Sequence, residues 1–204
     1  MSVTRRRTPE ERPRQILDAA LAVFGQEGLA AAKVEHIAER AGISKGTVYL
    51  YFPSKEELFL EVVRSTWLEM LDSIAAVTET KSARRDLETM CASFWSFLRS
   101  PSFATAHRLV VSEIQSFPEI AREFAEEVRR PILETLSGIL DRGVAAGEFN
   151  PGDNLVRARM LFSLLMQHGV WCAKRQVMLD LRSRSDDDVL REVLDFFMDA
   201  TAAG

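Results

Sequence analysis

VEHIAERAGISKGTVYLYF, from Val34 to Phe52, is the stretch that decides the fold. Val34, Ile37, Ala38 and Ala41 recur at helical spacing, and that pattern stops at Gly42. A second and shorter pattern runs from about Lys45 to Tyr51, and Pro53 prevents its continuation. The joint between them is Ala41-Gly42-Ile43-Ser44. Gly42 can take the left-handed conformation that a sharp turn between helices requires, where a Cβ would cost stability. Ala38, one turn earlier, is small and lets the second helix approach closely. Ile37, Ile43 and Val48 are the apolar residues that would lock the pair at a fixed angle, and Ser44 can cap the second helix. This spacing predicts a helix-turn-helix, whose second helix lies in the major groove of DNA.

The second helix has the chemistry for that use. Val48 and Phe52 face inward, leaving Lys45, Gly46, Thr47, Tyr49 and Tyr51 on its other faces. Lys45 supplies charge for phosphate or guanine, Gly46 lets backbone approach backbone, and Thr47 offers a hydroxyl and a methyl. The tyrosines offer hydroxyls to phosphate and flat rings to sugars or thymine methyls. Lys55 falls in the first turn of the next helix, whose free amides also attract phosphate. The competing reading is a helical hairpin whose aromatics are core.

Outward from this stretch the helical period continues. Ile16, Leu17, Ala20, Leu21 and Phe24 form one face of a preceding helix, which Gly25 and Gly28 punctuate. Ser54-Lys-Glu-Glu57 is a capping box that opens a long helix through Val62, Trp67 and Ile74. Further helices are expected from about Arg85 to Arg99, from Phe103 to Gln115, and from Pro118 to Ala146, the last kinked or divided at Pro131. Asn150-Pro-Gly-Asp153 is a turn and N-cap ahead of a helix reaching about Lys174. Ser185-Asp-Asp-Asp188 opens a final helix that ends near Ala200. No alternating β-branched segment competes, so the expected fold is all-α with about nine helices.

Composition agrees. Apolar residues make up 47% of the 204 and charged residues 27%, the balance of a soluble globular protein. The net charge of −4 is uneven: residues 1–55 carry nine Lys/Arg and six acids, and the remainder carries 17 and 24. A basic head on an acidic body is compatible with nucleic acid despite the overall sign. No apolar run is long enough for a bilayer span, and the basic start at Arg5, Arg6 and Arg7 is not followed by a secretion signal; a cytoplasmic protein is expected. Those arginines form either a flexible arm for the minor groove or a solubilising terminus. Cys91 and Cys172 make neither a disulfide framework nor a zinc motif, and no metal or cofactor is implied.

Gly28 followed by the stretch from Val34 through Pro53-Ser-Lys-Glu-Glu-Leu58 resembles the DNA-binding domain of the TetR family of bacterial transcriptional regulators. The match covers roughly residues 12–62, and beyond it the resemblance is architectural. It implies a DNA-binding domain over 1–56 and a ligand-binding and dimerisation domain over 57–204. The implied function is a homodimeric regulator, usually a repressor, that binds a palindromic operator and leaves it when a small molecule binds. Ser44, Lys45, Gly46, Thr47, Tyr49 and Tyr51 match recognition-helix positions, and Lys55 matches the lysine that starts the fourth helix. Ala32 and Lys33 depart from the Thr or Ser that cap the second helix in many relatives; Lys33 could still reach phosphate. Leu50 replaces a polar or larger aromatic residue.

In the larger domain, Trp67, Met70, Phe94, Trp95, Phe97 and Met160 are candidate walls for a hydrophobic effector, with His107 and Gln167 as polar groups to orient it. Taken singly, each is more often ordinary core. The resemblance implies that the last two helices pair with their copies through Leu161, Leu165, His168, Trp171, Val193, Phe196 and Phe197. Two other classes remain open: a helix-turn-helix adaptor acting through protein partners, and a helical enzyme with Cys91 or Cys172 as nucleophile and His107 or His168 as base.

Overall fold

The computed structural model describes residues 11–75, 80–113, 117–172, 174, 176 and 178–203. The arginines at 5–7 and the expected helix end at Gln115 lie outside them. Within them the regular structure is helical, with an isolated bridge between Phe149 and Ala202. The helices are α1 (Arg12–Glu27), α2 (Val34–Ala41), α3 (Lys45–Tyr51), α4 (Lys55–Ala75), α5 (Ala83–Leu98) and α6 (Pro101–Glu113). The next, α7, begins as Pro118–Glu123, passes through a π-helical segment Phe124–Arg129 and continues as Arg130–Ala145. Two more follow, α8 (Asn154–Cys172) and α9 (Asp186–Thr201), with a 3-10 turn Leu179–Leu181 between them. No helix among the described residues is long and apolar enough to cross a membrane.

Several ends are set by hydroxyl caps. Ser82 accepts from the Arg85 amide at 3.3 Å and Ser100 from the Phe103 amide at 3.1 Å, so α5 and α6 each start two residues before the expected positions. Ser185 and Asp188 close a reciprocal capping box on α9. The expected disturbance at Pro131 takes the form of the π segment just before it. A proline ring collides with the carbonyl four residues back and donates nothing, and the wider turn absorbs the mismatch.

The chain packs as two compact units. One reaches as far as Trp67 and takes in Thr105–Ile120; the other holds Leu68–Ala104 and Ala121–Gly204. The core of the first joins Ile16, Val23 and Phe24 of α1 to Ile37, Val48, Leu58, Phe59 and Val62. Phe24 meets Phe59 edge-on at 6.0 Å between ring centroids. The later part of α6 closes on α1, where the Arg108 guanidinium donates to the Gly25 carbonyl at 2.7 Å.

The second unit is built on α5, α7, α8 and α9. Phe94 stacks on Phe162 at 5.5 Å, beside buried Leu87, Met90, Leu136, Leu140, Leu161 and Leu165. Gly143 admits a close neighbour: a Cβ there would meet the Phe149 ring at 2.1 Å. Asp86, nearly inaccessible, accepts from the Thr80 amide at 2.9 Å and the Arg142 guanidinium at 2.7 Å. Glu148 caps the start of α5, accepting from the Ala83 and Arg84 amides at 3.0 Å and from Ser82 Oγ at 2.9 Å. These hydrogen bonds hold both carboxyls below the ordinary carboxylate range.

Candidate nucleic-acid interface

The turn between α2 and α3 is fixed by backbone bonds. Gly42 adopts φ 65° and ψ 35°, the left-handed region that favours glycine, and the Ile43 amide returns to the Ala38 carbonyl at 3.0 Å. The Gln15 amide of α1 donates to the otherwise orphaned Ala41 carbonyl at 2.5 Å, a support with no sequence signal. Ser44, in extended conformation, accepts from the Thr47 amide at 3.1 Å, and the two hydroxyls lie 2.8 Å apart. At the start of α2, Lys33 is the N-cap and makes no side-chain cap, as its departure from Thr or Ser implies.

Buried Val48 seats α3, and Phe52, also buried, follows its end. Lys45, Gly46, Tyr49 and Leu50 are exposed, Thr47 and Tyr51 half-buried. Tyr49 is 41% exposed and Tyr51 half-buried, so the aromatics of α3 are not sealed inside, and Leu50 is 78% exposed. Lys33 is exposed at the adjoining end of α2.

Two lysines are engaged in ways that sequence reasoning missed. Lys45 donates to Glu35 Oε1 at 2.6 Å and lies 5.7 Å from the centroid of the Tyr49 ring. That hydrogen bond lowers the Glu35 carboxyl and raises the Lys45 ammonium from their ordinary values. Lys55 turns toward the α1–α2 connection, donating to the carbonyls of Leu29 at 2.8 Å and of Ala30 and Ala32 at 3.2 Å. Its expected role at phosphate is therefore set against a position that occupies its donors on backbone. Beside these, His36 Nδ1 lies 2.9 Å from Glu27 Oε1, tying α2 to the end of α1.

The larger-domain candidates are dispersed. Trp67 is buried in the first unit and His107 half-buried there; Met70, Phe94 and Trp95 are buried in the second, while Phe97 is half-buried against Phe103. Met160, expected as a pocket wall, and Gln167, expected as a polar group that orients the effector, both face outward from α8, Met160 at 57% exposure. Leu161, Leu165, Val193 and Phe197, expected at the dimer interface, are buried within the single chain. Their exposure there is 0–6%. Phe196, at 67%, and half-buried His168 and Trp171 keep surface. Leu164, His168, Leu181, Val189, Val193 and Phe196 line a hollow of about 380 Å³ between α8 and α9.

Residues 16–62 match the family described as bacterial regulatory proteins, tetR family, and residues 85–203 match the AefR-like transcriptional repressor, C-terminal domain. The chain is 30% identical over 159 residues to the fatty acid metabolism regulator protein of Bacillus subtilis (strain 168), covering 74% of this chain and 79% of that one. It is 29% identical over 157 residues to the HTH-type transcriptional regulator RutR of Escherichia coli (strain K12), covering 73% and 69%. Among solved structures, the transcriptional regulator FadR from Bacillus subtilis in complex with stearoyl-CoA superimposes with a TM-score of 0.70 at 25% identity, covering 91% of this chain and 97% of that one.

Proposed function

The chain belongs to the TetR family of bacterial transcriptional regulators, and from that premise we propose that residues 1–56 read operator DNA while residues 57–204 bind an effector and pair two copies. The observation that carries the reading is α3 itself. Ser44 caps it, Val48 seats it, and Lys45, Gly46, Tyr49 and Leu50 are left to solvent. In the rival hairpin, Tyr49 would lie in the core. Thr47, Tyr51 and Lys33 complete the surface offered to bases and phosphates.

The proposed regulator is a repressor that binds a palindromic operator as a homodimer, its recognition helices in half-sites about 34–36 Å apart or more. Exposed Met160 and Phe196, with His168 and Trp171, supply apolar surface for the second copy. The effector is hydrophobic, with an acyl thioester as the leading class. The relatives' names support this, as does the apolar interior around Phe94 and Phe162. Trp95 adds a polar handle: its Nε1–H is buried without an acceptor among the described residues, the chemistry that orients a carbonyl oxygen. A ligand that prefers the conformation with the wrong half-site spacing releases DNA, and coupling of about 1–3 kcal/mol suffices. The rival enzyme reading finds no support, since Cys91 is buried with its thiol pushed up to about 12, and Cys172 is buried too.

Binding-site selection followed by fluorescence anisotropy tests the proposal. The chain is expected to enrich a palindrome, lose affinity for it as Lys45→Ala, and release it with long-chain acyl-CoA but not with free CoA. Failure to bind any duplex at modest ionic strength would sink the DNA reading; release indifferent to acyl chains would sink the effector class alone.

A further inference from the structure

Glu35 lies in the first turn of α2 and Lys45 opens α3, ten residues apart in sequence yet joined tip to tip at 2.6 Å. Both side chains are about half exposed, 56% for Glu35 and 49% for Lys45, so the pair is on the surface and not a core staple. An exposed ion pair of this kind adds little to stability. Its place is the informative feature, because residues at the N-terminal end of a recognition helix are those that meet base edges. A lone carboxylate would repel the phosphates around it. Next to an ammonium it makes a donor–acceptor couple of fixed order.

That couple finds its fullest complement on one edge in the major groove. Guanine presents the acceptors N7 and O6, and its paired cytosine presents the N4 amino donor beside them. An A·T pair offers the adenine N6 donor between single acceptors, so the ammonium meets one acceptor there and loses the adjacent N7 and O6 that guanine presents together. We infer that Glu35 and Lys45 act as one specificity-determining element, which selects a single G·C base pair in each half-site. Lys45 donates to guanine, Glu35 accepts from cytosine, and their mutual contact holds both in register. Glu35 also penalises every placement that leaves it against phosphate. Lys33, on the same turn, offsets part of that charge and keeps the surface able to approach DNA.

The inference rests on the reading that α3 enters the groove, and one experiment separates the two. Binding-site selection is run on the full chain as wild type, Glu35→Ala, Glu35→Gln and Lys45→Ala, with thermal melting as a check of folding. Wild type is expected to fix G·C at one position per half-site. Both Glu35 variants relax that position by about tenfold, as loss of a base contact does, and bind random duplex about threefold more tightly because a repulsive charge is gone. Lys45→Ala relaxes the same position. If wild type selects an operator and the Glu35 variants keep every preference, or lose operator and random DNA in equal measure, the pair does not read bases. If wild type selects nothing, the groove reading fails and this inference with it.

Discussion

Helix α2 is amphipathic and α8 is apolar on nearly every face, and only the first could be oriented from its sequence. In α2 the apolar residues are Val34, Ile37, Ala38 and Ala41, and all four are buried. Nothing is left over, so the pattern has one solution. In α8 apolar residues fall on nearly every face, but burial takes Ala158, Leu161, Phe162, Leu165, Gly169 and Cys172 and leaves Leu155 and Met160 more than half exposed. A surplus of apolar side chains makes the buried face undetermined without its neighbours.

The sharpest break of that comparison is Leu161→Ala against Met160→Ala. The first removes a fully buried side chain and is expected to lower the unfolding free energy by about 3 kcal/mol. The second is expected to change it by less than about 0.5 kcal/mol, once self-association is measured by sedimentation. Equal losses in urea titrations of the two would mean that α8 is rotated from the orientation described.

Two glycines sharpen the contrast next. Gly143→Ala should cost about 2 kcal/mol through overpacking, because its Cβ would collide with the buried Phe149 ring. Gly42→Ala should cost about 1 kcal/mol for another reason, the left-handed backbone. Trimming Phe149 to Leu should recover part of the first loss, and no side-chain trimming should recover the second; a urea double-mutant cycle distinguishes them.

What was legible follows the same division. The order of helices, the Gly42 turn, the Ser44 and Ser54 caps, the acidic start of the last helix at Ser185 and the exposed faces of Lys45 and Tyr49 could be read from the sequence, because each depends on residues within a few positions of one another. Glu35 beside Lys45, Gln15 on the Ala41 carbonyl and Lys55 on three carbonyls could not, since their partners lie ten, 26 and 23–26 residues away. In the second unit, residue type alone could not sort the large apolar side chains into pocket, interface and core.

Asp86 brings pH into the comparison. Its carboxyl is held below the ordinary range, first by the Thr80 hydroxyl. A depressed carboxylate contributes stability that is complete above its unfolded value, about pH 4, and is lost as pH falls through the lower folded value. Asp86→Asn should cost about 1.5 kcal/mol at neutral pH and flatten the acid side of the stability curve below about pH 4. An unchanged acid limb in circular dichroism would shift the acid sensitivity to Glu148 or to other carboxylates.

Lys55 supplies the smallest effect and the finest discrimination, because it is set against Lys45 within the head. Lys55→Met is expected to lower stability by about 1 kcal/mol, the worth of hydrogen bonds to carbonyls that water can partly replace, and to leave the salt dependence of operator binding unchanged. Lys45→Met should do the reverse, sparing stability and altering DNA binding. Each phosphate neutralised adds about 0.9 to the slope of log affinity against log salt. A slope that falls by that amount in Lys55→Met would mean the ammonium leaves Leu29, Ala30 and Ala32 for the DNA backbone when the complex forms. The α1–α2 connection would then lose its tether at the moment of binding, and Lys55 would join the reading surface instead of supporting it.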